Sequence, residues 1–162
     1  MIVSGQDSGS VVSTDVVERI PRYAISARQA LNDAPDYGSA FSRGLRVELP
    51  GATMLLISGT ASVDEQGKTV HAGDFGAQAR RTYCNVTALL EAEGASWKDV
   101  VRTTCYLRDM ERDYAQFNDL RNEFYRQQGL NPLPASTGIQ AILCRPDLLI
   151  EIEAMAILPQ GR

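Results

Sequence analysis

Leu148-Leu149-Ile150-Glu151-Ile152-Glu153-Ala154-Met155-Ala156-Ile157 is the stretch on which the fold turns. Read with a period of two, Leu148, Ile150, Ile152, Ala154 and Ala156 share one apolar face. Leu149, Glu151, Glu153 and Met155 share the other, which sets both carboxylates on one side of a strand, about 6–7 Å apart. A helix would scatter the apolar set around its circumference. Taken alone, the two acids also fit an edge strand with solvated carboxylates.

Other segments repeat the alternation. In Val100–Arg108 the apolar phase is Val101, Thr103, Cys105 and Leu107, against Arg102, Thr104, Tyr106 and Arg108. In Ser136–Leu143 it is Thr137, Ile139, Ala141 and Leu143, against Ser136, Gly138, Gln140 and Ile142. Thr53–Ser58 is apolar on both phases until its end, which predicts a central strand. Two helices are available to cover the apolar face. One runs from an N-cap at Asp74 to a stop at Gly94, with Ala79, Tyr83, Val86, Leu89 and Leu90 inward. The second runs from about Asp113 to Gly129, with Tyr114, Phe117, Leu120 and Phe124 inward. Two helices cover one side of a small sheet, so Tyr106, Gln140, Glu151 and Met155 are left on an open side. A second copy of the chain is the economical cover, with clefts at the seam.

At 162 residues and 44% hydrophobic content the chain makes one domain with a sizeable core. Net charge is −4 and the sixteen basic residues are scattered. That disfavours a nucleic-acid partner, whose phosphates call for clustered Lys and Arg. No apolar run has the length of a membrane span, and no signal-peptide pattern opens the chain, so neither membrane nor secretion is expected. Cys84, Cys105 and Cys144 are odd in number and read as reduced thiols of a cytoplasmic protein. His71 is the only histidine, which argues against a Ser-His-Asp triad or a multi-histidine metal site. It reads as a loop or cap residue beside Gly73-Asp74. No CxxC, P-loop or dinucleotide-type glycine cluster is present. Gly59 ends a strand and reads as a bulge or turn glycine.

Residues 1–15 have no periodic pattern, Val16–Ile20 has the composition of a short strand, and Tyr23–Leu31 reads as a short helix. The compact part follows as strand (Leu45–Leu49), turn at Pro50-Gly51, strand (Thr53–Ser58), turn at Gln66-Gly67, then helix, strand, helix, strand, strand. Asn131-Pro132-Leu133-Pro134 bars helix between the second helix and the penultimate strand. This ββαβαββ order predicts an α+β fold with both helices on one face of the sheet. Residues 1–37 read as an N-terminal extension and 38–162 as the domain.

Several motifs, in this order along the chain, resemble the Rid family (reactive intermediate deaminase, YjgF or endoribonuclease L-PSP-like). They are Ile57-Ser58-Gly59, Gly73-Asp74 with Gln78, Asn85, Val100-Val101-Arg102-Thr103-Thr104, Asn118, Phe124 and Ile150-Glu151-Ile152-Glu153-Ala154. The resemblance covers about Gly38 to Ile157. It implies a chorismate-mutase-like mixed sheet and a homotrimer with clefts between subunits. It also implies cofactor-independent hydrolysis of small imines and enamines, such as 2-aminoacrylate, to keto acids and ammonia. By that likeness Glu151 is the catalytic, water-positioning carboxylate, and Ser58, Gly59 and Asn118 bind substrate.

The chain departs from the family where an arginine clamps the substrate carboxylate. Pro-Ala-Arg-Ser-Cys reads here as Pro134-Ala135-Ser136-Thr137-Gly138, and the family's tyrosine position falls on Phe41. Serine lacks the charged, bidentate fork of arginine, so an altered substrate is expected. Phe41-Ser42-Arg43, Ser58-Gly59-Thr60-Ala61-Ser62 and His71-Ala72-Gly73-Asp74 are similar to stretches of the chorismatases. Three readings follow. One is a Rid-like hydrolase whose pocket includes Phe41, Ser136 and Gly138. Another is a chorismatase-like hydrolase of cyclic or aromatic acids, with Arg43 or Arg145 on the carboxylate. The last is a non-catalytic small-metabolite binder. A ribonuclease ranks below all three, lacking a histidine pair and a basic surface.

Overall fold

Ten residues of alternating burial hold the centre of the molecule. A computed structural model describes residues 19–160. In it the strands are β1 (Arg22–Ile25), β2 (Gly44–Leu49), β3 (Ala52–Ala61), β4 (Val100–Leu107), β5 (Ala135–Gln140) and β6 (Ile150–Pro159), and the helices are α1 (Phe75–Ala92) and α2 (Met110–Gln127). They form one six-stranded sheet in the order β1-β2-β3-β6-β4-β5. Only β4 and β5 run parallel, joined by α2; the other neighbours are antiparallel. The architecture is α+β with both helices on one face, as the alternation predicts.

In β6, Ile150, Ile152, Ala154 and Ala156 are buried under α1, while Glu151, Glu153 and Met155 look to the uncovered face. The Asp74 side chain accepts from Ala77 N at 2.9 Å to start α1, and Gly94 at φ +68° follows its end. Ala79, Tyr83, Val86, Leu89 and Leu90 are all buried. Tyr83 stacks on Phe124 of α2 with ring centroids 4.3 Å apart, and Trp97 meets the same ring edge-on at 5.1 Å. No helix among the described residues is long and apolar enough to cross a membrane.

Five expectations are corrected. Tyr23–Leu31 is not a helix: Arg22–Ile25 pairs with Val47–Gly44 as an edge strand, and a turn follows at residues 28–30. The proposed strand at Val16–Ile20 lies mostly outside the described residues; Arg19 and Ile20 are not in a strand. Helix α2 begins one turn before Asp113, because Asp109 accepts from Arg112 N and caps it there. Its inward set takes Tyr125 and leaves Tyr114 exposed. In β4 a register shift between Val100 and Arg102 turns Val100 inward and leaves Val101 exposed.

The fifth correction reverses β5. Ser136 Oγ accepts from Thr103 Oγ1 at 3.1 Å on the buried side of β4, and a Cβ on Gly138 would lie 3.7 Å from Met110 and Tyr114 of α2. Gln140 Oε1 accepts from Met110 N. Ser136, Gly138 and Gln140 therefore face the helix layer. Thr137 and Ile139 face the uncovered side, where Arg102 donates to Thr137 Oγ1 at 3.3 Å.

Candidate functional site

Three local devices shape a cleft on the uncovered face of the sheet. The first is a break in the β3–β6 ladder between Ile57 and Thr60, which leaves Ser58-Gly59 as a bulge. The bulge is strapped: Ser58 Oγ donates to Ser42 O at 2.8 Å, Ser58 N donates to Arg43 O at 3.0 Å, and Thr60 Oγ1 donates to Ser58 O at 2.8 Å. The second is Asn85 on α1, whose amide donates to Ala61 O and Val63 O, both at 2.9 Å, and pins the chain leaving β3. The third is Arg108, which follows β4. Its guanidinium donates to the carbonyls of Leu143, Arg145 and Leu148, holding the 141–149 loop as the far wall. Gln78 completes that wall, donating to Asp147 O and accepting from Leu149 N, each at 2.8 Å.

The resulting cleft holds about 630 Å³ and is lined by Phe41, Arg43, Ser58, Gly59, Tyr106, Glu151 and Glu153, with Ile142–Arg145 opposite. At its floor the Glu151 carboxylate lies against the bulge. A Cβ built on Gly59 would stand 1.9 Å from Glu151 Oε1, so any side chain there would push the carboxylate aside. Burial raises the Glu151 pKa above the ordinary carboxylate value, nearby Glu153 raises it further, and Arg43 acts in the opposite direction. Glu151 is thus a carboxylate in a pocket, held toward neutrality, the condition that suits a proton acceptor near neutral pH. Gly59→Ala is expected to displace the Glu151 side chain. The variant should unfold ~1–3 kcal/mol more easily, as overpacked sites do, and lose whatever activity the cleft has; thermal melts with turnover check both.

Of the residues that the sequence points to, the fold brings Phe41, Arg43, Ser58, Gly59, Arg145 and Glu151 into this one cleft. Two of them also tie loops. Arg43 is buried and donates to Asn32 O at 2.6 Å and Asn32 Oδ1 at 2.9 Å, while its guanidinium sits 5.7 Å from the Phe41 ring. Arg145 donates to Gly67 O at 2.7 Å. Asn118, Ser136 and Gly138 do not reach the cleft within one chain; they lie on the α2 side of β5. His71 sits in a loop, its carbonyl accepting from Asp74 N, and lines no part of the cleft. Among the described residues no three His, Cys, Asp or Glu side chains converge to hold a metal ion.

Two groups of the site are given no role by the sequence. Tyr106 stands in the cleft with its hydroxyl donating to Glu153 Oε2 at 3.1 Å. Its place on the polar phase of β4 was the available signal. Arg121 lies across the seam of α2 and β5. It donates to Asn118 Oδ1 at 2.6 Å and to Ser136 Oγ at 3.4 Å, and its guanidinium is 5.0 Å from the Phe117 ring. Among the described residues no carboxylate is within ion-pair distance of it. Fifteen residues separate it from Ser136, and nothing in the spacing connects them.

Comparison with known proteins adds the following. A family model described as endoribonuclease L-PSP matches residues 31–158. A RutC family protein of Pyrococcus abyssi is 30% identical over 123 residues, 76% of this chain and 90% of that protein. A 2-iminobutanoate/2-iminopropanoate deaminase of Escherichia coli is 34% identical over 104 residues, 64% of this chain and 79% of that one. Among solved structures, the YjgF gene product of E. coli superposes with a TM-score of 0.69 at 29% identity, covering 83% of this chain and 98% of its own. E. coli TdcF with bound serine gives 0.70 at 26%, covering 84% and 98%.

Proposed function

Since this chain belongs to the endoribonuclease L-PSP (Rid/YjgF) family, we propose that its cleft hydrolyses small imines or enamines to carbonyl compounds and ammonia. The observation that carries this reading is the Glu151 carboxylate, raised in pKa and seated on the Gly59 bulge inside a cleft. A water beside Glu151 attacks the C=N carbon while the carboxylate takes a proton from it. The tetrahedral carbinolamine receives that proton on nitrogen and then collapses, its hydroxyl giving its own proton to Glu151, which passes it to the departing nitrogen. The C–N bond breaks, the carbon–oxygen bond becomes a carbonyl, and ammonia leaves. No oxidant or reductant enters. The deaminase activity named for the E. coli relative supports this chemistry.

The working assembly is proposed to be a homotrimer of a cytoplasmic protein, taking a small molecule as its ligand. Exposed Ile139 and Ile142, with Met155 and Leu56 on the uncovered face, are the apolar surface that a second copy would cover. In such an assembly the α2–β5 seam of a neighbouring copy closes the cleft and brings Arg121, seated on Ser136 and Asn118, to the substrate carboxylate. A guanidinium from the helix then does the work that the family places on the strand. Residues 1–37 are read as an extension, of which β1 joins the edge of the sheet, and 38–162 as the catalytic domain.

Ammonia release from imines generated in situ, small aliphatic against aromatic, tests the reaction. The expected result is turnover of carboxylate-bearing aliphatic imines by a species that sediments as a trimer. A stable monomer at micromolar concentration would remove the shared cleft, and absence of ammonia from every imine would remove the reaction.

A further inference from the structure

We infer that Tyr106, fixed by Glu153, is the residue that selects a ligand nitrogen bearing N–H bonds. This rests on the reading of the cleft given above and goes beyond it by orienting the substrate. Tyr106 pairs with Glu151 in the β4–β6 register, while its hydroxyl reaches diagonally to Glu153 Oε2 at 3.1 Å. All three side chains line the cleft. With its hydrogen directed to Glu153, the phenol presents lone pairs to the ligand. Among the described residues no protein group donates to Glu151 or to Glu153 Oε1.

This wall therefore holds acceptors in excess of donors. Burial first, and Glu153 after it, keep the Tyr106 hydroxyl protonated, so the Tyr106–Glu153 bond persists at neutral pH with the phenol as donor. A ligand hydroxyl or carbonyl oxygen satisfies this wall less well than an ammonium or iminium, which brings two or three N–H donors and a positive charge between two carboxylates. Of the cleft's arginines, Arg145 donates to Gly67 O and Arg43 to Asn32 O, and Arg43 acts on Glu151 through its charge. Substrate is thus oriented with its nitrogen over Tyr106 and its reacting carbon over Glu151, leaving the carboxylate toward the mouth.

The test compares L-serine with L-glycerate, which differ in ammonium against hydroxyl, by calorimetry on the full chain at neutral pH. Wild type is expected to bind serine about tenfold more tightly, the scale of one hydrogen bond to a charged group. Tyr106→Phe and Glu153→Gln should each reduce that preference to within about twofold while glycerate affinity stays within about twofold of wild type. The unchanged glycerate affinity also reports that the variants fold. The inference is overturned if the preference survives both substitutions, if serine and glycerate affinities fall together, or if wild type shows no preference or binds neither. Ammonia release with wild type separates the two ideas. Turnover without nitrogen preference removes this inference alone, and nitrogen preference without turnover removes the hydrolase reading alone.

Discussion

Glu151→Gln is expected to lower turnover at least about a hundredfold and to make the protein more stable at neutral pH. The first part is the usual scale for losing a positioned general base. Glutamine keeps the shape above Gly59 but cannot take a proton from water. The second part follows from linkage. The folded state holds the Glu151 proton more tightly than the unfolded chain does, because burial and Glu153 outweigh Arg43. A carboxyl with a raised folded pKa binds more protons in the native state, so its contribution to stability falls as pH rises through the window between the two pKa values. Above that window the ionised group is a net cost, and glutamine removes it. The melting-temperature gain should therefore be full at neutral pH and vanish as pH drops below the ordinary glutamate value of about 4.3.

The same shift sets the pH profile. Activity needs ionised Glu151, so the acid limb should lie at higher pH than for an ordinary carboxylate. Glu153→Gln removes one of the two raising causes and should move that limb to lower pH. A residue that served structure alone would lose activity and stability together. Equal turnover in wild type and Glu151→Gln would end the assignment.

What could be read from the chain depended on where burial contrast is written into it. The β6 run alternates strongly because one face lies under α1 and the other lies open, so period two fixed both the strand and the side on which Glu151 stands. Asp74, Gly94 and the inward face of α1 were legible for the same reason: caps and a 3.6-residue stripe are local signals. β5 carried no such contrast. Its six residues are all exposed in the single chain, and its orientation comes from parallel pairing with β4 and from Gly138 and Gln140 meeting α2. Ile25, Ala27 and Leu31 are buried and suited a helical reading, yet the free edge of β2 captured Arg22–Ile25 as a strand. Pairing partners are tertiary facts, and they overrode the local pattern. The site divides in the same way. Glu151, Ser58 and Gly59 came from motifs, whereas Arg108 shapes the cleft through backbone carbonyls, for which no residue pattern exists.

Arg121→Gln is expected to lower kcat/KM for carboxylate-bearing substrates about ten- to a hundredfold, the worth of a charge-assisted and often bidentate bond. It should have little effect on uncharged imines of the same size. Asn118 and Phe117 hold the guanidinium from one side and Ser136 from the other, so its position is set before substrate arrives. An arginine at position 136 would project from the same seam. In the wild-type background, Ser136→Arg sets a second cation beside Arg121, and like charges there should leave affinity unchanged or weaker. In the Arg121→Gln background the same substitution should restore most of the lost activity, because the clamp is again a single guanidinium at that place. Kinetics of the four proteins on one imino acid, with an uncharged imine as control, decide the matter. Gain by Ser136→Arg alone, with no loss on Arg121→Gln, would show that the seam holds no clamp in the natural protein; Arg43 and Arg145 would then be the next to replace. Restoration confined to the double variant ties the departure at Ser136 to the arrival of Arg121, one charge kept while the element that carries it has changed.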